Sequence, residues 1–460
     1  MFMLRRCFLA LFVCALSLWA QPSPDLDARI DAAAQSALKK SGVPSVSVAV
    51  VRNGKLAYAR AFGNGSLAPR RPSTAATRYA IGSISKQFTA AALLLLQEQG
   101  RLSLDDKVAK YFPELTRAGE ITLRQLLSHT SGYEDYAPQD YIIPAWTKAV
   151  TPPQILDDWA KKPLNFDPGA RWQYSNTNYV LAAAIFEKVA GRPLVPFLRE
   201  KIFGPLGMQS AGEWTPASPD DARAYTRYAL GPPRPAVREA GGWYFGAGEL
   251  AMTPSDLVRW DMAFLQKKIL SAASYEEFTR EVKLKDGGPT RYALGLMLRE
   301  AGGVPAIQHD GEVSGFLASN TVLPSRNGAV VVFSNQDCVS VAGPLSRQIV
   351  ALAFAAAPTP ADRQTKEAQA ILEGLQAGRI DRTLFTANAN SYFTEAALRD
   401  CKASLRRLGK LESVTAAGEN LRGGMTHRTY RAQFRKQTLT LNIYVTPAGK
   451  YEQFLVTEQI

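Results

Sequence analysis

The sequence predicts an α/β (α+β) fold: an antiparallel sheet built from strands at both ends of a large domain, flanked by helices and interrupted by a mostly helical subdomain. Three observations predict it. Residues 45–63, SVSVAVVRNGKLAYARAFG, are two β-rich runs joined through Asn53-Gly54, the favoured two-residue hairpin turn. Residues 83–275 are mostly helical in their spacing. Strand-like runs then return at 291–298, 314–323 and 328–335, the last two joined through Pro324-Ser-Arg-Asn-Gly328. Strands from both ends with helices between them are satisfied by one antiparallel sheet covered by helices.

The elements follow in order. Arg5 and Arg6 precede an apolar stretch over 7–20, and Ala20 stands before Gln21-Pro22. The stretch is shorter than a spanning helix needs, so residues 1–20 are expected to be a cleaved signal peptide and the mature protein to be periplasmic or secreted, with no lasting membrane span. Residues 25–42 form an amphipathic opening helix. The large domain is expected over 25–357, ending in the helical run 343–357. PTPADR marks a linker at 358–363. A small α+β domain is expected over 364–460: a helical part to about 408, then the strands THRTYRAQF, TLTLNIYV and KYEQFLVT. In the second strand Leu439, Leu441, Ile443 and Val445 share one face, as a half-buried strand requires.

Composition excludes several classes. The chain has 460 residues, 46% hydrophobic and 21% charged, which is ordinary for a globular protein. Net charge is +13, but no dense Lys/Arg block and no nucleic-acid module occurs, so nucleic acid is not an expected partner. After the first segment only Cys338 and Cys401 remain, which is no disulfide framework and leaves their pairing open. His129, His309 and His427 are scattered, with no zinc spacing; no metal or cofactor is expected.

The chemistry is expected at YAIGSISKQFTAAALLLLQEQG, residues 79–100. Ser83 stands three residues before Lys86 at the start of an apolar helix expected to run from Ser83 to Gln99. Residues three apart lie one turn apart on the same helix face, so the amine reaches the hydroxyl. The helix N-terminus adds free N–H groups and partial positive charge. A lysine base must be partly neutral, and burial lowers its pKa. Ser36 and Lys39 repeat the spacing inside the opening amphipathic helix, where a solvated face explains them. The spacing alone leaves a nucleophile and an ordinary N-cap serine equally open.

Two further motifs decide between them: Tyr174-Ser175-Asn176, on a turn entering a helix, and His309-Asp310-Gly311, leading toward the strand from Ser314. Ser-x-x-Lys, Tyr-x-Asn and Lys/His-x-Gly in this order resemble the serine β-lactamase and penicillin-binding-protein superfamily, in particular the class C β-lactamase-related branch. ITLRQLLSHTSGY and FDPGARWQYSN are similar to that branch too, and the resemblance covers about 25–357. It implies a β-lactamase/transpeptidase-like fold and a serine hydrolase working through an acyl-enzyme. In that reading Ser83 is the nucleophile, and Lys86 with Tyr174 is a coupled base. A nearby cation is expected to hold the Tyr174 phenol down so that it relays a proton. Asn176, His309, Gly311 and Glu312 are expected on the substrate side, with backbone N–H groups of Ser83 and Glu312 forming the oxyanion hole. His129 is expected to be structural and His427 to lie on an accessory strand face.

Dedicated β-lactamases usually carry Lys-Thr-Gly as the third motif. Here His-Asp-Gly is followed by Glu312, and two carboxylates repel an anionic substrate. The expected substrate is a small ester or peptide, cell-wall-derived material included, and the expected activity is that of an esterase or D-amino-acid peptidase rather than a dedicated β-lactamase. The alternative is a catalytically silent cell-wall binding or sensing protein. The sequence leaves the oligomeric state open.

Overall fold

The computed structural model describes residues 24–215, 218–219, 221–354 and 360–458. The expected signal peptide, residues 1–20, lies outside the described residues. The chain divides into two compact units, with the boundary at Ala355/Ala356.

In the first unit, helix α1 (Pro24–Ser41) leads into the hairpin β1 (Ser45–Arg52) and β2 (Lys55–Leu67), with β3 (Arg70–Pro72) at the edge. Asn53 and Gly54 both adopt positive φ at the hairpin turn. The later strands are β4 (Met297–Ala301), β5 (Val304–Val313), β6 (Phe316–Leu323) and β7 (Gly328–Ser334). They join the first three in one seven-stranded antiparallel sheet, ordered β3-β2-β1-β7-β6-β5-β4. The first and last strands of the unit thus pair at its centre, with Val48 opposite Val332.

Both faces of that centre are buried, which explains why β7 reads as an unbroken apolar run rather than an alternation. Ala329, Val331 and Phe333 face a core shared with α2 (Lys86–Glu98) and α3 (Asn176–Ala190). Val330 and Val332 face the opposite core, shared with α1 and with α5 (Ala342–Phe354). Helix α4 (Pro254–Leu265) packs on the first face, where Trp260 is fully buried against Phe88. The expected sheet with flanking helices and an inserted subdomain is the fold the chain adopts.

Local differences are instructive. The expected helix from Ser83 is a 3₁₀ turn over Gly82–Ser85 that becomes α-helical only at Lys86. The run 291–298 is extended only from Met297. His309-Asp310-Gly311 lies within a strand, β5, rather than before one; a Ser314-Gly315 turn separates β5 from β6. The inserted segment also carries short strands, such as Leu250–Met252 paired with Tyr79–Ala80.

The second unit opens with α6 (Pro360–Ala377), so the stretch expected as linker is helical from Pro360, where proline suits a first turn; residues 358–359 lie outside the described residues. Helix α7 (Glu395–Arg407) precedes a four-stranded antiparallel meander, β8 (Leu411–Arg422), β9 (Met425–Phe434), β10 (Thr438–Val445) and β11 (Tyr451–Glu458). Its core includes Leu372, Leu375, Phe434, Leu441 and Phe454. Leu439, Leu441 and Ile443 alternate inward as expected, and His427 stacks on Tyr444 at 4.5 Å on the other face. Cys338 and Cys401 are free thiols in different units.

Candidate active site

The expected nucleophile sits beside a close backbone-to-backbone contact. Gly82 holds φ +50°, and a Cβ on it would fall 2.6 Å from the Glu312 backbone nitrogen. A Cβ on Gly311 would fall 1.9 Å from the Ile81 carbonyl oxygen and 3.3 Å from the Ser83 nitrogen. Only glycine fits at either position. Their contact lays β5 directly along the 3₁₀ turn and brings the backbone nitrogens of Ser83 and Glu312 into one neighbourhood.

Lys86 begins α2 and is fully buried. Its Nζ stands 2.8 Å from each of Ser83 Oγ, Asn176 Oδ1 and the Ala247 carbonyl oxygen. Burial lowers the amine from 10.5 to about 7, against the opposing charge of Asp135. A neutral amine has two N–H donors and one lone pair. Asn176 and Ala247 take the donors, which leaves the lone pair facing the Ser83 hydroxyl.

The Tyr174 hydroxyl neighbours the Ser83 hydroxyl, and Lys86 Nζ lies 4.9 Å from the centre of its ring. The phenol is not held down, contrary to expectation. Burial pushes it up, and the neighbouring Ser83 hydroxyl offsets only part of that rise. The resting pair is therefore a depressed lysine beside a neutral phenol.

Three further side chains complete this arrangement, two of which, Asp135 and Tyr292, the motifs did not identify. Asp135 accepts the Asn176 backbone N–H at 2.9 Å and its side-chain N–H at 3.2 Å, which turns the Asn176 oxygen toward Lys86. His129, expected to be structural, stacks on Tyr174 at 4.3 Å and accepts the Ser175 N–H at 3.1 Å. Burial and the charge of Lys86 keep that ring neutral. Tyr292 donates to His309 Nε2 at 2.9 Å, while His309 Nδ1 donates to the Asp310 carbonyl at 2.6 Å. Both nitrogens of His309 are thus engaged within the protein. Burial lowers it to about 3, so this ring shapes the site without carrying charge. No local periodicity marks Asp135 or Tyr292; they reach the site only through the fold.

Open space lies on both sides of Ser83. One cleft of about 460 Å³ is lined by Ser83, Tyr174, Asn176, Glu312 and their neighbours. The other, of about 510 Å³, is lined by Ser83, Tyr174, His309, Gly311, Glu312 and Arg347, with apolar residues such as Leu317 and Val341. A substrate can therefore lie across the hydroxyl with a group in each cleft.

The beta-lactamase family model matches residues 30–353. This chain belongs to the beta-lactamase family. It is similar to penicillin-binding protein 4* of Bacillus subtilis strain 168, 30% identical over 315 residues, covering 63% of this chain and 68% of that protein. It is 27% identical over 355 residues to a D-aminopeptidase of Gluconobacter oxydans, covering 76% of this chain and 66% of the other. Among solved structures, a D-stereospecific amidohydrolase from Streptomyces sp. superposes with TM-score 0.61 at 29% identity, over 71% of this chain and 99% of that one. The second unit lies beyond the residues matched by the family model.

Proposed function

We propose that this beta-lactamase family member is a serine hydrolase that cleaves ester or amide bonds through an acyl-enzyme, of esterase or D-amino-acid peptidase type. One observation carries the reading: a hydroxyl, Ser83, lies 2.8 Å from a fully buried amine, Lys86, which burial has brought to about 7. The D-aminopeptidase and D-stereospecific amidohydrolase among its relatives support the substrate class.

The steps follow from the geometry. Neutral Lys86 takes the Ser83 proton as Oγ bonds to the substrate carbonyl carbon. The oxygen of that carbonyl becomes negative between the N–H groups of Ser83 and Glu312; one such donor is typically worth about 2.7–4 kcal/mol. The bond to the leaving group breaks, and the proton passes from Lys86 through Tyr174 to that group. Water then attacks the acyl carbon, gives a proton to the same pair, and the acid leaves as Ser83 recovers its hydrogen. Asn176 and Asp135 hold the amine in place throughout. Among the described residues no helix is long and apolar enough to cross a membrane. The charged and then apolar sequence of residues 5–20 supports an exported enzyme.

An active-site-directed phosphonate tests the reading. It is expected to add its mass to the wild-type protein and not to Ser83→Ala. Turnover of p-nitrophenyl esters or D-amino-acid anilides by the wild type separates a hydrolase from a binding protein. Absence of both adduct and turnover overturns it.

A further inference from the structure

The chain carries a net charge of +13, yet one cleft beside Ser83 inverts that sign. Asp135, Asp140, Glu239, Glu312 and Asp337 line it, and no lysine or arginine does. Two of these carboxylates are engaged. Asp135 holds Asn176, and Glu239 accepts the Tyr244 hydroxyl together with the Ser314 N–H at 3.1 Å. Asp337 is different. It is 6% exposed, its Oδ2 accepts the Gly315 N–H at 2.7 Å, and its Oδ1 is buried without a hydrogen-bond partner. Glu312 stands at the exposed edge of the same wall. Burial and the charges of Asp140 and Asp337 push its carboxyl up to about 7, although solvent on its open side screens part of that repulsion. Like charges gathered together oppose one another's ionisation, and a bound cation relieves that opposition.

We propose that this wall is an ammonium subsite, in which Glu312 contacts a protonated amine on the acyl half of the substrate and the charge of buried Asp337 behind it adds to the attraction. The proposal rests on the hydrolase reading above and narrows it. Glu312 stands at the point where recognition and reaction meet: its backbone N–H faces the developing oxyanion and its side chain lines the acidic wall. An amine close to the reacting carbonyl is found in amides, esters and peptides opened from their amino end. An N-acylated acyl half offers no charge to this wall, and one bearing a carboxylate is repelled by it.

The test compares three anilides on the full chain: D- and L-alanine p-nitroanilide, propionyl p-nitroanilide, which lacks only the amine, and succinyl p-nitroanilide, which is anionic. The expected kcat/KM for an alanine anilide exceeds the propionyl value by about tenfold or more, with succinyl slowest. Glu312→Gln and Asp337→Asn are each expected to lower the alanine-to-propionyl ratio severalfold. Glu312 is exposed, so its variant serves if the buried Asp337→Asn fails to fold. Equal rates on the alanine and propionyl anilides overturn the proposal, as does a ratio unmoved by the substitutions. Phosphonate labelling needs no amine. A labelled Ser83 with no alanine anilide cleaved overturns the ammonium subsite alone; an unlabelled Ser83 overturns the hydrolase reading with it.

Discussion

Two stretches of this chain carry serine three residues before lysine, and they differ in almost everything else. Ser36 and Lys39 lie on α1, where Lys39 is exposed in the last turn. Ser83 and Lys86 straddle the junction of a 3₁₀ turn and α2, where Lys86 is wholly buried and bonded to three oxygens. The spacing is the same, so spacing does not make the chemistry. Burial makes an amine willing to be neutral, and a second segment, Tyr174 to Asn176, arrives from far along the chain to fix it.

The widest separation between the two copies is expected in turnover. Ser83→Ala and Lys86→Ala each lower kcat/KM on a p-nitrophenyl ester by about 10⁴-fold or more, while Ser36→Ala leaves it unchanged; steady-state kinetics on folded variants decides. Comparable loss in Ser36→Ala breaks the comparison. Next in size, Tyr174→Phe keeps the ring against His129 but removes the relay, and kcat falls by roughly 10²–10⁴-fold.

The pH profile sharpens the comparison further. Lys86 works as a base when neutral, so kcat/KM on an uncharged ester rises with pH through about 7. Asp135 raises the amine's pKa, so Asp135→Asn moves that limb to lower pH. A limb that stays in place assigns it to another group. The smallest effect concerns a buried acid outside the motif. Burial raises Glu249 from 4.5 to about 8, and its Oε1 accepts the Gly246 N–H at 2.9 Å. Between those values the native chain keeps a proton that the unfolded chain has released, so stability falls as pH rises through the window. Glu249→Gln removes that slope. Melting curves from pH 5 to 9 should show the variant gaining a few degrees on the wild type toward the alkaline end.

Much of the fold was legible because its elements announce themselves locally. The Asn53-Gly54 turn, the apolar run of β7 and the alternation of β10 each follow from neighbouring residues. The three motifs were legible for the same reason: each is short and contiguous. What escaped depends on contacts between distant segments. β5 interrupts its pattern with Pro305, His309 and Gly311, and its strand character comes from pairing with β4 and β6. β8 is mostly exposed along its outer half, so it has little apolar alternation to display. Asp135, Tyr292 and the stacking of His129 on Tyr174 exist only once loops from three parts of the chain converge. The phenol's direction of titration was misjudged because a sequence shows the neighbouring cation but not the depth of burial.

The seam between Gly82 and Gly311 bears on how this protein can be altered. Neither position accepts even a methyl group without pushing a peptide plane out of alignment. A mutagenesis library aimed at new substrates should therefore hold both glycines constant and spread its diversity over the loop from Gln139 to Tyr141, which borders the acidic cleft at a distance from that contact.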